Sequence, residues 1–363
     1  ENDCKVNLTV IPWDKYEETY TTALNSGEGP DVGYMYNEMF PTYIDAGAVE
    51  DMSSYVTDED KKEYKYLSNG NMMDGQYGWP FVLYYNEDIL NALGEKAPET
   101  WDDFARICQE ATKDTDGDGK VDQYGFACGM NTSDIGAMQI LNAYYYSALW
   151  QNGGQVYNDD LKSVSFADEA GKEAVTWLKG LTSYMNEDFM SLSWSDAFSN
   201  VFGVGKAAFG ITRSSQTDGT TFAETYPDLN WNFVTSLKNK DFGTFGATDC
   251  LTLMSACEDK DLAMDFIKYV TGSEFMTAYH AKCPGAALTE SEPYVGDEKM
   301  EKIYTEDKDK WHGIQAGPCG TQILNQLAAD FQGIMSGETS VDEGLKEAED
   351  YANGLLDEYW ANK

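Results

Sequence analysis

Nine consecutive residues carry the most specific chemical pattern in this 363-residue chain: Asp114-Thr115-Asp116-Gly117-Asp118-Gly119-Lys120-Val121-Asp122. Carboxylates at loop positions 1, 3, 5 and 9 with glycine at 6 follow the spacing of a calcium loop. In such a loop alternate side chains converge on a hard cation, position 7 (here Lys120) offers its backbone oxygen, and glycine permits the sharp turn. Position 12 is Gly125 instead of the usual bidentate Glu, so a distant carboxylate or water has to complete the shell. The expectation is a structural calcium that staples a helix over 100–112 to a strand at Tyr124–Cys128; an acidic turn without an ion is the alternative. The helix pair that would make it a sensor is absent from the flanking sequence.

Signatures of catalysis are missing. His280 and His312 are isolated, and the chain has no HExxH, GxSxG, GxxxxGK[ST] or strand-following GxGxxG. Gly203-Val204-Gly205-Lys206 reads as a turn before a strand. None of the 63 carboxylates stands out as half of a glycosidase-type pair. Aromatic residues, by contrast, recur in loop-like settings: Trp13, Tyr34, Tyr36, Trp79, Tyr144-Tyr145-Tyr146, Trp150, Trp194 and Trp311. Flat rings with a polar handle suit sugar rings, whose C–H faces stack while their hydroxyls bond to polar side chains. Core packing is the alternative for any one of them, and it is the reading for Trp101 and Trp177, which lie on helices with apolar periodicity. Arg213 is conspicuous in so acidic a chain. It would clasp a carboxylate or paired sugar hydroxyls, or else form a surface salt bridge.

These groups need a scaffold, and the hydrophobic pattern supplies one. Val6–Ile11 alternates as a strand, and a helix follows to Asn25, stopped by Ser26-Gly27-Glu28-Gly29-Pro30. Short strands are expected at Asp31–Tyr36 and Tyr77–Asn86. Helices are expected at Met39–Ala46, from Asp88, after the capping box Thr100–Asp103, and over 134–150, 168–185, 259–271, 320–336 and 341–361. Strands alternating with helices predict an α/β fold with largely parallel sheets. The length allows two domains, and the net charge of −38 disfavours nucleic acid and anionic membrane surfaces as partners. Seven scattered cysteines form no CxxC pair, so buried thiols are the simpler reading and the redox compartment stays open.

Six short elements then occur in a familiar order: Gly29-Pro30-Asp31-Val32; Leu83-Tyr84-Tyr85-Asn86-Glu87-Asp88-Ile89-Leu90; Pro98-Glu99-Thr100-Trp101-Asp102-Asp103-Phe104; Gly205-Lys206-Ala207-Ala208-Phe209; Asp261–Val270; and Met335–Leu345. Across nearly the whole chain the series resembles extracellular solute-binding proteins of the maltose-binding type, the receptors of carbohydrate ABC importers. The acidic loop stands where many Gram-positive members carry one. The resemblance implies a non-enzymatic receptor with the two-lobed, type II periplasmic-binding-protein fold. Its lobes are expected at 1–82 plus 247–297 and 83–246 plus 298–363, with the chain crossing near 82–86, 243–249 and 295–302. A sugar or oligosaccharide would be captured between the lobes by hinge closure and passed to the importer's membrane subunits. It further implies a monomer, lipid-anchored at the outer face of the membrane, although no signal region precedes Cys4. The family's first strand and helix have no counterpart here, which reads as a partial sequence.

Residue by residue, the resemblance puts Tyr36, Asn37 and Glu38 of the first lobe at the ligand, and Trp79 at the hinge. Tyr145, Trp150, Trp194 and Arg213 follow from the second lobe, with Asp249 and Trp311 near the later crossings. Met35 and Ser215 stand where the maltose-binding pattern has stacking tryptophans, and Met39 replaces an arginine, so maltodextrin specificity does not carry over. A secreted carbohydrate-active enzyme and a calcium-dependent adhesion domain are the competing classes. Turnover would reveal the first; loss of partner binding under chelation would reveal the second.

Overall fold

The computed structural model describes residues 4–12, 15–36, 39–65, 79–132, 138–218, 220–247 and 249–363. Among them run strands β1 (Val32–Tyr36), β2 (Trp79–Asn86), β3 (Tyr124–Ala127), β4 (Ala207–Arg213), β5 (Trp231–Val234), β6 (Thr244–Ala247), β7 (Asp249–Leu253) and β8 (Trp311–His312). The chain divides into two compact units, one of Glu1–Gly78 and Thr248–Gly296, the other of Trp79–Ala247 and Asp297–Lys363. Trp79 to Val82 thus belong to the second unit.

In the first unit, β1 and β7 pair antiparallel, with Val32 opposite Leu253 and Tyr36 opposite Asp249. Helix Tyr16–Ser26 leads into β1 and ends where Gly27 takes the left-handed conformation that caps a helix (φ 74°). Two small apolar cores result. Tyr16, Tyr20, Met35, Phe40 and Tyr43 form one, and Met52, Leu253, Met264 and Ile267 form the other. Helix Lys260–Thr271 starts at an Asp259 cap, and a second helix, Ser273–His280, extends beyond the single helix that the sequence pattern predicts. His280 is buried with Glu292: its Nδ1 meets one carboxylate oxygen, and the other accepts from the Leu288 N–H at 2.8 Å.

The strand expected at Val6–Ile11 does not form. Period-2 alternation makes a strand only if a neighbour completes the ladder. No such neighbour exists among the described residues, and the apolar side of the segment faces solvent, Leu8 being 83% and Val10 82% exposed.

In the second unit the sheet order is β3-β4-β2-β6-β8, with β5 also on β2. The largely parallel sheet expected is replaced by a mixed one. The long β2 runs antiparallel to β4, β5 and β6, leaving β3–β4 and β6–β8 as the parallel pairs. One large core lies against this sheet, filled by Phe104, Phe126, Phe166, Phe209, Phe331 and their neighbours. Helix Trp101–Ala111 opens with a reciprocal capping box, the Thr100 hydroxyl taking the Asp103 N–H while the Asp103 carboxylate takes the Thr100 N–H. Trp101 and Trp177 stack at 4.1 Å in this core, as their periodicity requires. Where one helix is expected over 134–150, residues 133–137 lie outside the described set, a π-turn spans Leu141–Tyr145, and an α-helix follows at Tyr146–Gln151. Helices Gly320–Ser336 and Val341–Ala361 form as read. No helix among the described residues is long and apolar enough to cross a membrane.

Candidate functional site

The first unit gathers phenols and carboxylates around β1. Alternation along this strand turns Met35 into the core and leaves Tyr34 and Tyr36 half-buried on the other face. The Tyr34 hydroxyl donates to Asp249, and the Tyr36 hydroxyl donates to Glu17. Asp249 is itself buried at the head of β7, directly across the ladder from Tyr36. The Tyr16 ring meets Tyr34 edge-on at 6.3 Å and lies 6.5 Å from Tyr36. Flat rings beside carboxylate acceptors are what a sugar's C–H face and hydroxyls ask for. Tyr16 and Glu17 escape sequence reasoning, because a helix face and a strand 18 or more residues on are joined only by the fold. Asn37 and Glu38 lie outside the described residues.

In the second unit Arg213 ends β4, opposite Phe81 on β2. Its guanidinium carbon lies 5.2 Å from the centre of the Trp194 ring. Trp194 is 2% exposed and also meets the Phe81 ring edge-on at 5.3 Å. Trp194 is therefore the floor beneath Arg213 and not an open stacking face. β3 and β4 run parallel, and Arg213 sits at their C-terminal end, where open α/β sheets bind ligands. Trp79 begins β2, half-buried and opposite Ala247.

The other ring positions divide. Trp150 is half-buried, stacks on Tyr146 at 5.6 Å and takes the His312 ring edge-on at 5.1 Å. Burial lowers the His312 pKa in spite of nearby Asp241. Tyr145 is fully buried between Tyr146 and Phe331, and burial holds its phenol far above the usual range. It packs the core and does not reach a ligand surface. Trp311 is buried too: its indole N–H donates to the Ile303 carbonyl at 3.0 Å, and its ring lies against Gly246.

Among the described residues, no sequence-predicted ligand residue lines either of two cavities of the second unit. A core cavity of about 50 Å³ is bounded by Phe81, Phe104, Trp177 and Leu237. A groove of about 500 Å³ lies between Asn86, Gln123, Gly205 and Tyr226. Gln123 and Gly205 lie one and two residues before β3 and β4, so this groove is at the opposite end of the parallel pair from Arg213.

In the acidic loop the carboxylates of Asp114, Asp116 and Asp122 lie within 4.8 Å of one another. Asp114 accepts from the N–H groups of Gly117 (2.6 Å) and Gly119 (2.7 Å), which lower its pKa, and Asp122 accepts from Thr115. Asp118 turns to the Lys120 N–H at 2.8 Å. At Gly125 a Cβ would come 2.3 Å from the Cys108 carbonyl oxygen, so no acidic side chain fits at position 12. Three carboxylates suit a hard cation, with the Lys120 carbonyl and water left to complete six to eight oxygens.

Comparison with known proteins fixes the class. The family model described as bacterial extracellular solute-binding protein matches residues 1–293. The chain belongs to that family, whose members bind solutes rather than transform them, and it has the α/β fold of type II periplasmic binding proteins. It is 25% identical over 316 residues to binding proteins of Brucella abortus (strain 2308) and Brucella suis biovar 1 (strain 1330), covering 82% of this chain and 69% of each relative. Similar solved structures include an ABC transporter solute-binding protein from Thermotoga lettingae bound with alpha-D-tagatose (TM-score 0.74, 18% identity, 96% of this chain and 91% of that one). The GacH receptor of Streptomyces glaucescens, solved unliganded and with acarbose, is similar at TM-score 0.77 and 18% identity, covering 97% and 90%. A cyclic alpha-maltosyl-1,6-maltose binding protein from Arthrobacter globiformis is similar at TM-score 0.76 and 17% identity, covering 98% and 92%.

Proposed function

We propose that this solute-binding protein is the sugar or oligosaccharide receptor of an ABC importer, delivering its cargo unaltered to the importer's membrane subunits. The observation that carries the reading is the β1 face, where Tyr34 and Tyr36 offer half-buried rings hydrogen-bonded to Asp249 and Glu17. In the second unit Arg213, Trp150 and Trp79 supply a guanidinium and two further half-buried rings. Asn37 and Glu38 follow β1 in sequence and belong to the proposed ligand set; within the second unit Trp194 backs Arg213, and Trp311 and Tyr145 pack the interior.

Sugars or sugar-like compounds bound to the similar proteins from Thermotoga lettingae, Streptomyces glaucescens and Arthrobacter globiformis favour the same cargo class. The resemblance in motif order favours a lipid-anchored monomer at the outer face of a Gram-positive membrane. A structural calcium held by Asp114, Asp116 and Asp122, with Asp118 and Lys120 completing the loop, fits that setting. The test is a thermal-shift screen of the purified chain against neutral and acidic oligosaccharides, followed by recovery of the bound sugar. Stabilisation of several degrees by one glycan class, with that glycan returned intact, supports the reading. Recovery of a cleaved or rearranged sugar overturns it.

A further inference from the structure

A fixed hydrogen-bond donor stands in the groove of about 500 Å³ in the second unit. Asn86, 4% exposed at the end of β2, accepts the Asp88 and Ile89 N–H groups on its Oδ1 at 2.9 and 3.1 Å. Those two bonds set the plane of the amide and leave its Nδ2 directed away from them. This nitrogen comes 3.9 Å from where a Cβ at Gly205 would stand, and no group among the described residues accepts from it. Gln123 is fixed in the opposite sense. Its Nε2 donates to the Ala111 carbonyl at 2.7 Å, and its Oε1 accepts from nothing among the described residues. The turn Gly203-Val204-Gly205 adds a wall. Glycine at 203 lets the Tyr226 ring lie on the backbone, where a Cβ would come within 2.7 Å of it. Glycine at 205 takes a positive φ of 78° and leaves the Asn86 amide uncovered.

We propose that this groove is a second binding site, for a neutral hydroxyl-rich ligand of the size of a sugar ring, separate from the end of the sheet that carries Arg213. It goes beyond the receptor reading and does not depend on it. The lining decides the ligand class by elimination. Asp88 and Asp228 line the groove and no lysine, arginine or histidine does, which opposes an anion. A simple cation has no acceptor to give the Asn86 N–H. An apolar ligand would cover a donor and an acceptor while pairing neither. A hydroxyl both donates and accepts, so neighbouring hydroxyls on one ring answer Asn86 and Gln123 together. Ile89, Tyr226 and Leu229 offer apolar surface to the C–H face of such a ring. The volume falls within the range of small-molecule sites, and the amide of Asn86 is already in place before ligand arrives.

The Ile89 side chain lines the groove and reports on it. Isoleucine δ1-methyl labelling supplies the signal, and Ile89→Val assigns it. The neutral probes are galactose, maltotriose, cellotriose and xylotriose, set against glucuronate and spermidine. At least one neutral probe should move the Ile89 methyl in a saturable way, with glucuronate and spermidine leaving it in place. Asn86→Asp keeps an oxygen for the Asp88 and Ile89 N–H groups but replaces the donor by an acceptor. It should weaken the neutral probe roughly 10-fold at unchanged unfolding temperature. Ala92→Trp, at an exposed helix position on the groove, should abolish the Ile89 shift. Both variants should keep any stabilisation that the probe confers through another site. A shift that survives Asn86→Asp at full affinity overturns the assignment. A shift with spermidine or glucuronate alone overturns the ligand class. Silence from all the neutral probes overturns the site and leaves a solvated groove, with the receptor reading untouched.

Discussion

The Tyr16 hydroxyl donates to the Tyr34 carbonyl oxygen at 2.6 Å, and the Tyr34 N–H donates to the Tyr20 hydroxyl at 2.9 Å. Two tyrosines one turn apart on helix Tyr16–Ser26 thereby take both backbone groups of a residue in β1. They satisfy the groups that a neighbouring strand would otherwise bind, which blunts an edge open to association. Tyr20→Phe should leave the Tyr34 N–H unsatisfied and cost about 1–3 kcal/mol in urea unfolding; Tyr16→Phe should act likewise on the carbonyl. A change below about 0.5 kcal/mol for both would mean that water replaces the caps freely.

The same phenols set an alkaline limit. Burial first, and the neighbouring Tyr20 second, hold Tyr16 protonated well above its usual range, and burial raises Tyr20. Raised pKa values in the folded state mean stability that is complete below the unfolded phenol value near pH 10 and declines above it. The urea midpoint should therefore be level between about pH 8 and 9 and lower at about pH 11. The double change Tyr16→Phe, Tyr20→Phe should flatten that decline; an unchanged profile would assign it to other groups.

His280 and Glu292 form a pair with almost no solvent access, their side chains being 3% and 1% exposed. Removing one partner strands the other, so Glu292→Ala should destabilise the first unit by about 3 kcal/mol or more. Glu292→Gln, which still accepts from the Leu288 N–H, should cost less. Equal losses from the two variants would show that shape and not hydrogen bonding holds this segment.

Calcium at 100 times its dissociation constant should add about 2.7 kcal/mol to the second unit, visible as a rise of several degrees. Asp114→Asn with Asp116→Asn should abolish the response to added calcium and to chelator. An unfolding temperature indifferent to calcium in the unaltered protein would leave the loop as a turn held by its own Asp–amide bonds.

Gly246 has no room to grow. A Cβ there would lie 2.4 Å from the Trp311 ring, which its own bond to the Ile303 carbonyl keeps in place. Gly246→Ala should cost about 1–3 kcal/mol through overpacking, and Trp311→Phe in the same chain should recover part of it.

Local signals were legible and distant ones were not. The Thr100–Asp103 box and the Gly27 stop depend on residues within four positions, and they stand where the pattern puts them. Strand direction is set by partners far along the chain, so the antiparallel runs along β2 were invisible to an alternation of strand and helix. Val6–Ile11 shows the converse, a strand pattern whose ladder partner no periodicity can supply. At the candidate site, residue type identified the rings but not their facing. Tyr145 and Trp194 carry the same chemistry as Tyr36 and Trp150, yet neighbours on other elements bury them. Glu17 reaches Tyr36 for the opposite reason, across a gap that only folding closes.

The pairing of β1 with β7 has a consequence for how the chain is made. Tyr34 and Asp249 are 215 residues apart. At roughly 5–20 residues per second, a ribosome needs on the order of 10–40 seconds to supply β7 after β1 has emerged. Through that interval β1 is an apolar strand awaiting its mate, while the residues of the second unit are being added between them. The first unit is thus begun first and completed later, after Asp249 and the segment to Gly296 arrive. Nascent chains stalled before Asp249 should be protease-sensitive across β1, and a holdase that shields this stretch during synthesis should raise the yield of folded protein.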